Sequence, residues 1–154
     1  MRVLLQGEEQ TERLGRCLAK VLGAGDAVLL IGEMGMGKSV LARAVARCFG
    51  VRGAMPSPSF TILQSYDADI PVKHFDLYRL EDPVEFYEAG LDEEMDVHSL
   101  CLIEWPEMTD FRPERRVEVR MSRGDGENGR AAEIELFAMG ADTLRTLREE
   151  WERN

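Results

Sequence analysis

Gly32-Glu33-Met34-Gly35-Met36-Gly37-Lys38-Ser39 satisfies the pattern G-x-x-x-x-G-K-[S/T]. Its three glycines let the backbone curl tightly and turn successive N–H groups toward one anion. Lys38 is long enough to reach the β and γ phosphates of a nucleotide, and the Ser39 hydroxyl suits Mg²⁺. A helix opening at Lys38 adds its positive end beneath the phosphates. Random matches to this pattern occur on the order of once per hundred chains of this size, so the flanks decide the reading.

On one side, Ala27-Val28-Leu29-Leu30-Ile31 is an unbroken apolar run between Asp26 and Gly32, as expected of a strand covered on both faces. On the other, Val40, Leu41, Ala44, Val45 and Cys48 make an apolar stripe that predicts a helix over 38–49, closed by Gly50. Strand, phosphate loop and helix are the context the motif requires. Further out, residues 2–5 read as a short strand, and Leu14, Leu18, Val21 and Leu22 as one helix face ended by Gly23 and Gly25. Prolines, serines and Gly53 make 51–59 loop-like. Residues 61–66 and 72–77 read as strands around an Asp67-Ala68-Asp69 turn. Asp82-Pro83-Val84-Glu85 opens a short helix running to about Ala89, with a further helical turn over 91–95. Leu100-Cys101-Leu102-Ile103 is another buried-type strand. The alternating stretches 117–121 and 132–136 flank a glycine-rich turn as a hairpin with one wet face, and Leu144, Leu147 and Trp151 mark a last helix. The expectation is one α/β domain over 1–154: a three-layer P-loop NTPase-like fold with a mostly buried central sheet and an antiparallel hairpin portion.

With 154 residues, 44% of them hydrophobic, the chain can build a core of ordinary domain size. Its net charge of −10 disfavours direct nucleic-acid binding, which needs clustered Lys and Arg, and suits docking to basic protein partners. Cys17, Cys48 and Cys101 are far apart, odd in number and set among apolar residues, so they are expected to be reduced, buried core positions of a cytoplasmic protein. His74 and His98 stand alone, and no His/Cys metal cluster emerges from the spacing. No apolar run is long enough to span a membrane, and none is expected. P-loop enzymes add an acidic residue at the end of a neighbouring strand. The candidates are Glu104, after the run 100–103, and Asp76, within His74-Phe75-Asp76-Leu77-Tyr78.

Taken together, the phosphate loop, Ser57-Pro58-Ser59-Phe60-Thr61-Ile62, His74-Phe75-Asp76-Leu77-Tyr78-Arg79-Leu80 and Leu102-Ile103-Glu104-Trp105-Pro106-Glu107 resemble the TsaE (YjeE) family of bacterial P-loop ATPases in order and spacing. The resemblance covers most of the chain and is weakest after Pro106. It implies an ATP- and Mg²⁺-dependent subunit for threonylcarbamoyladenosine modification of tRNA, acting on a TsaD-like transferase and its TsaB-like paralogue rather than on tRNA itself. It also implies roles residue by residue. Gly35, Met36, Gly37, Lys38, Ser39 and Val40 would contact the nucleotide, joined by Thr11 on the adenine side and by Arg130. Ser39 and Glu104 would hold the metal, Asp76 would act in hydrolysis, and Thr61 would sense the γ-phosphate from a switch loop over 57–61. Trp105 reads as packing. This chain departs from the family in Val40, where a second hydroxyl residue is common, and in Ser59, where threonine is usual.

Two other readings use the same loop. A small-molecule kinase would need lid arginines, for which Arg112, Arg115 and Arg116 are the only late cluster. A non-hydrolysing, nucleotide-gated adaptor would bind ATP without turnover. A GTPase is disfavoured because no Asn-Lys-x-Asp segment is present.

Overall fold

A computed structural model describes residues 1–56 and 61–153. In chain order its elements are β1 (Arg2–Gln6), α1 (Glu8–Ala19), β2 (Ala27–Ile31), α2 (Lys38–Cys48), β3 (Leu63–Tyr66), β4 (Val72–Asp76), α3 (Val84–Glu88), α4 (Leu91–Glu94), β5 (Leu100–Glu104), β6 (Arg116–Arg123), β7 (Gly129–Phe137) and α5 (Ala141–Glu152). A 3-10 turn, Pro106–Met108, follows β5. The strands form one sheet in the order β1-β7-β6-β2-β5-β4-β3. Its centre, β6-β2-β5-β4, is parallel. The pair β7 and β1 closes one side antiparallel, and β3 closes the other.

The unbroken apolar runs are explained by cover on both faces. Val28 and Leu30 of β2, with Leu100 and Leu102 of β5, meet Leu14, Leu18, Leu41, Val45 and Leu147 from α1, α2 and α5. Ala27 and Leu29, with Cys101 and Ile103, face the opposite way onto Phe86 and Leu91 of α3 and α4. Helices therefore layer both sides of the sheet. The helix pair α1–α2 crosses closely at Gly15, where an added Cβ would stand 2.6 Å from Ala44 Cβ. Among the described residues no helix is long and apolar enough to cross a membrane.

Several expectations are corrected. Helix α1 stops at Ala19 because Lys20 and Val21 bond back three residues, so Val21 and Leu22 follow it rather than extend it. Cys17 and Cys101 are buried, but Cys48 is exposed at the end of α2, while Val45 and Ala46 of the same turn face the core. Glu118, expected on the wet face, is buried between Val117 and Val119 of β6 and paired by Arg116 and Arg120. The described part of the switch loop begins at Thr61; positions 57–60 lie outside the described residues.

Candidate active site

Three parallel strands finish on one edge of the sheet, and their ends make the site. Strand β2 runs into the phosphate loop. Glu104 at the end of β5 is paired in register with Leu30 of β2 and with Asp76 at the end of β4. Ligands of open α/β sheets bind at this carboxyl edge. A cavity of about 560 Å³ opens there, within the usual range for small-molecule sites. Of the residues singled out from sequence, Gly35, Gly37, Lys38, Ser39, Val40, Thr61, Asp76 and Glu104 line it.

The loop curls as its glycines allow. Gly35 and Gly37 have φ of 79° and 98°, and Gly37 caps α2 in the left-handed region. Gly32 is more tightly constrained: at φ 154°, an added Cβ would stand 2.5 Å from the Met121 carbonyl oxygen of β6. Gly32→Ala is therefore expected to cost more than the roughly 1–3 kcal/mol of backbone strain alone. Gly35→Ala, with nothing within 4 Å of its new methyl, should cost only the strain of positive φ, about 1–2 kcal/mol. Urea unfolding of both variants checks this, and equal losses would contradict the close approach at Gly32.

Lys38 is 5% exposed. Its Nζ donates to the Gly32 carbonyl and stands 3.7 Å from the centroid of the Trp105 ring. Burial draws its ammonium below the usual lysine range, opposed by the carboxylates of Glu104, Glu107 and Asp76. It is a dehydrated cation held at the mouth of a cavity, suited to an anion. Ser39 Oγ donates to Glu104 Oε1 at 3.0 Å and lies 3.3 Å from Oε2. Burial alone would raise the Glu104 carboxyl; the His74 hydrogen bond and charge, the Ser39 hydroxyl and Lys38 together hold it below its ordinary value. Ser39 and Glu104 thus offer only oxygen, the donor set of a hard divalent ion that keeps most of its shell for phosphate and water. Asp76 Oδ1 accepts the Tyr78 N–H at 3.1 Å, and the Thr61 hydroxyl accepts from Gln64 Nε2 at 2.8 Å.

Three expected nucleotide contacts do not line the cavity. Met36 sends its side chain into the core beneath the loop, which leaves only its backbone for phosphate. Thr11 is buried, its hydroxyl 3.4 Å from the Gly7 carbonyl and its methyl 3.7 Å from where a Gly37 Cβ would stand. Arg130 reaches from β7 to donate to the Gly35 carbonyl at 3.2 Å, bracing the loop from outside. Further residues of the site had no role assigned from sequence beyond the packing expected of Trp105. Trp105 adopts φ 57°, ψ 49°, a left-handed turn for a bulky residue, and this turn brings its ring to Lys38 and to within 5.0 Å of Tyr78. Tyr78 and Arg79 line the cavity too; they lie in a stretch quoted for the resemblance but carried no role. The late arginines do not line it. Arg112 holds the Pro106 and Thr109 carbonyls, Arg115 pairs with buried Asp26, and Arg116 pairs with Glu118.

The profile of the family described as "Threonylcarbamoyl adenosine biosynthesis protein TsaE" matches residues 5–132. Among curated relatives, the chain is 42% identical over 106 residues to the "tRNA threonylcarbamoyladenosine biosynthesis protein TsaE" of Rickettsia conorii, covering 68% of this chain and 60% of that one. It is 33% identical over 135 residues to the protein of the same name from Bacillus subtilis, covering 86% and 82%. The match spans about three fifths of the length of the Rickettsia conorii and Rickettsia felis relatives. The crystal structure of Bacillus subtilis YdiB superposes with a TM-score of 0.72 at 27% identity, covering 99% of this chain and 94% of that one. The profile match runs from the end of β1 through the phosphate loop and both strand-end acids into β7, and on that ground the chain belongs to the TsaE family.

Proposed function

We propose that this chain binds and hydrolyses ATP as a subunit required for threonylcarbamoyladenosine modification of tRNA, docking on a TsaD-like transferase and its TsaB-like paralogue rather than on tRNA. The observation that carries the ATPase reading is the convergence of Lys38, Ser39, Asp76 and Glu104, from the loop and two neighbouring strand ends, on one cavity. The names of the relatives support the pathway. The acidic charge supports a protein partner over a bare nucleic acid.

Phosphoryl transfer asks the protein mainly to position charge. The backbone N–H groups of the loop cradle the phosphates, and Lys38 leaves the Trp105 face for the β and γ oxygens. Ser39 and Glu104 would hold Mg²⁺, which would supply neutralising charge for the phosphates. Asp76 has one oxygen on the Tyr78 N–H and offers the other to orient the attacking water. That water forms the new P–O bond as the bond to the β–γ bridging oxygen breaks, giving ADP and phosphate. Thr61, at the cavity edge beside Ile62, senses the γ-phosphate. The kinase reading is weakened because its arginines are engaged in structural contacts outside the cavity.

Phosphate release tests this. The chain alone is expected to turn over slowly, because a site completed by a partner is incompletely organised without it. Addition of both partners should raise the rate, and Asp76→Ala should remove the increase. Equal release from wild type and variant in the full mixture would favour the adaptor instead.

A further inference from the structure

His74 stands in mid-β4 on the sheet face that turns Val72 into the α1–α2 core, two residues before Asp76 on that face. Its Nε2 lies 2.6 Å from Glu104 Oε2, with the imidazole 1% and the carboxylate side chain 5% exposed. An ionised carboxylate only accepts, so the hydrogen of this bond is on Nε2. The other ring nitrogen, Nδ1, is buried and has no hydrogen-bond partner among the described residues. The imidazole's polar contact is therefore Glu104. A buried polar group with one unpaired nitrogen is costly in a strand core that an apolar side chain would fill. What the fold gains is a clamp on the carboxylate that also takes the Ser39 hydroxyl.

We propose that His74 is a positioning residue for Glu104: by holding Oε2 from beneath, it keeps Oε1 turned to Ser39 and presets the oxygen pair that takes the divalent ion. The inference rests on the Mg²⁺–ATP reading above. Without the clamp, the three-torsion glutamate side chain has to be ordered by the ion itself. Hydrogen-bonding partners behind metal ligands typically change metal affinity 10- to 100-fold.

The test is a calorimetric titration of Mg²⁺ into the chain saturated with a non-hydrolysable ATP analogue, for wild type, His74→Gln and His74→Asn. The glutamine amide nitrogen reaches about where Nε2 stands; the asparagine nitrogen reaches only to the Nδ1 position. His74→Asn is expected to lose roughly tenfold in Mg²⁺ affinity, and His74→Gln to stay within about threefold of wild type, with analogue affinity in EDTA the same for all three. In wild type, the His74 Nε2 proton should give a downfield, exchange-protected NMR signal that shifts when Mg²⁺ is added, a readout independent of any variant. Wild-type Mg²⁺ affinity in His74→Asn, equal losses in both variants, or a signal unmoved by Mg²⁺ would each overturn the inference. Wild type that binds the analogue but ignores Mg²⁺ would overturn it together with the metal assignment. Wild type that binds no analogue at all would overturn the ATPase reading itself.

Discussion

Lys38→Ala is expected to weaken ATP binding by roughly ten- to a hundredfold, the equivalent of one charged hydrogen-bonding group worth about 1.5–3 kcal/mol, and to abolish partner-stimulated phosphate release. The free chain should hardly notice the change. Lys38 is dehydrated, and burial pulls its ammonium below the usual range. What it receives in return is a backbone carbonyl, the face of Trp105 and the attraction of the Glu104, Glu107 and Asp76 carboxylates. A cation–π contact of this kind is worth about 0.5–2 kcal/mol, comparable with the desolvation it offsets. Thermal melting without nucleotide should therefore move little, while the rise in melting temperature on adding ATP shrinks. That divergence separates a residue kept for a ligand from one kept for the fold. Undiminished ATP affinity in calorimetry would contradict the assignment, whatever the variant's stability. Lys38→Arg keeps the charge, but its broad guanidinium has to enter a slot that leaves Lys38 5% exposed, so its recovery should be partial.

How much of this site was legible in the sequence varies by residue, for physical reasons. The phosphate loop could be read because its geometry is set locally, by three glycines within six residues, Gly32, Gly35 and Gly37. The strands β2 and β5 could be read because cover on both faces imposes an unbroken apolar run. Asp76 and Glu104 stood out as acids where such runs stop, yet the sequence left open which strand lies beside which. That ordering is what the His74 contact depends on. His74 and Glu104 are 30 residues apart, and only the parallel register of β4 on β5 brings them together, so a histidine without sequence neighbours read as isolated. Trp105 was obscured by the opposite kind of rule. A residue before proline is normally extended. Here it takes a left-handed turn, braced by Arg112 on the Pro106 carbonyl, and its ring lies against Lys38 while packing on the edge of the core cluster of Phe75 and Ile103. Arg130, which the resemblance places at the nucleotide, reaches the Gly35 backbone of the phosphate loop, a placement no linear motif encodes. Cys48 follows the apolar period of α2 but is its last residue and stays exposed, while Val45 and Ala46 of the same turn are buried.

Glu104 carries the second large effect, because the fold and the chemistry both lean on it. Glu104→Ala should remove Mg²⁺-dependent phosphate release. It should also destabilise the chain by roughly 2–4 kcal/mol, since deleting one partner of a buried pair strands the other. His74 would keep no polar contact among the described residues, and the Ser39 hydroxyl would lose its acceptor. Glu104→Gln separates these two roles: its amide can still accept from His74 and meet Ser39, so stability should fall by about 1–2 kcal/mol, yet without the charge the metal-supported reaction should be lost as fully as in the alanine variant. The pH dependence follows from the direction of the shift. The folded-state value of Glu104 lies below the ordinary 4.5. Its contribution to stability is therefore complete above the unfolded value and is lost as the pH falls through the lower folded one. Urea unfolding of wild type and Glu104→Gln should thus show a constant difference at neutral pH that begins to close below about pH 4.5 and vanishes once the carboxyl is protonated in both folded and unfolded chains. A difference that stayed flat into the acid range would mean that the charge of Glu104 contributes nothing to holding β4, β5 and the phosphate loop together, and metal-dependent turnover retained by the glutamine variant would contradict its role at the metal.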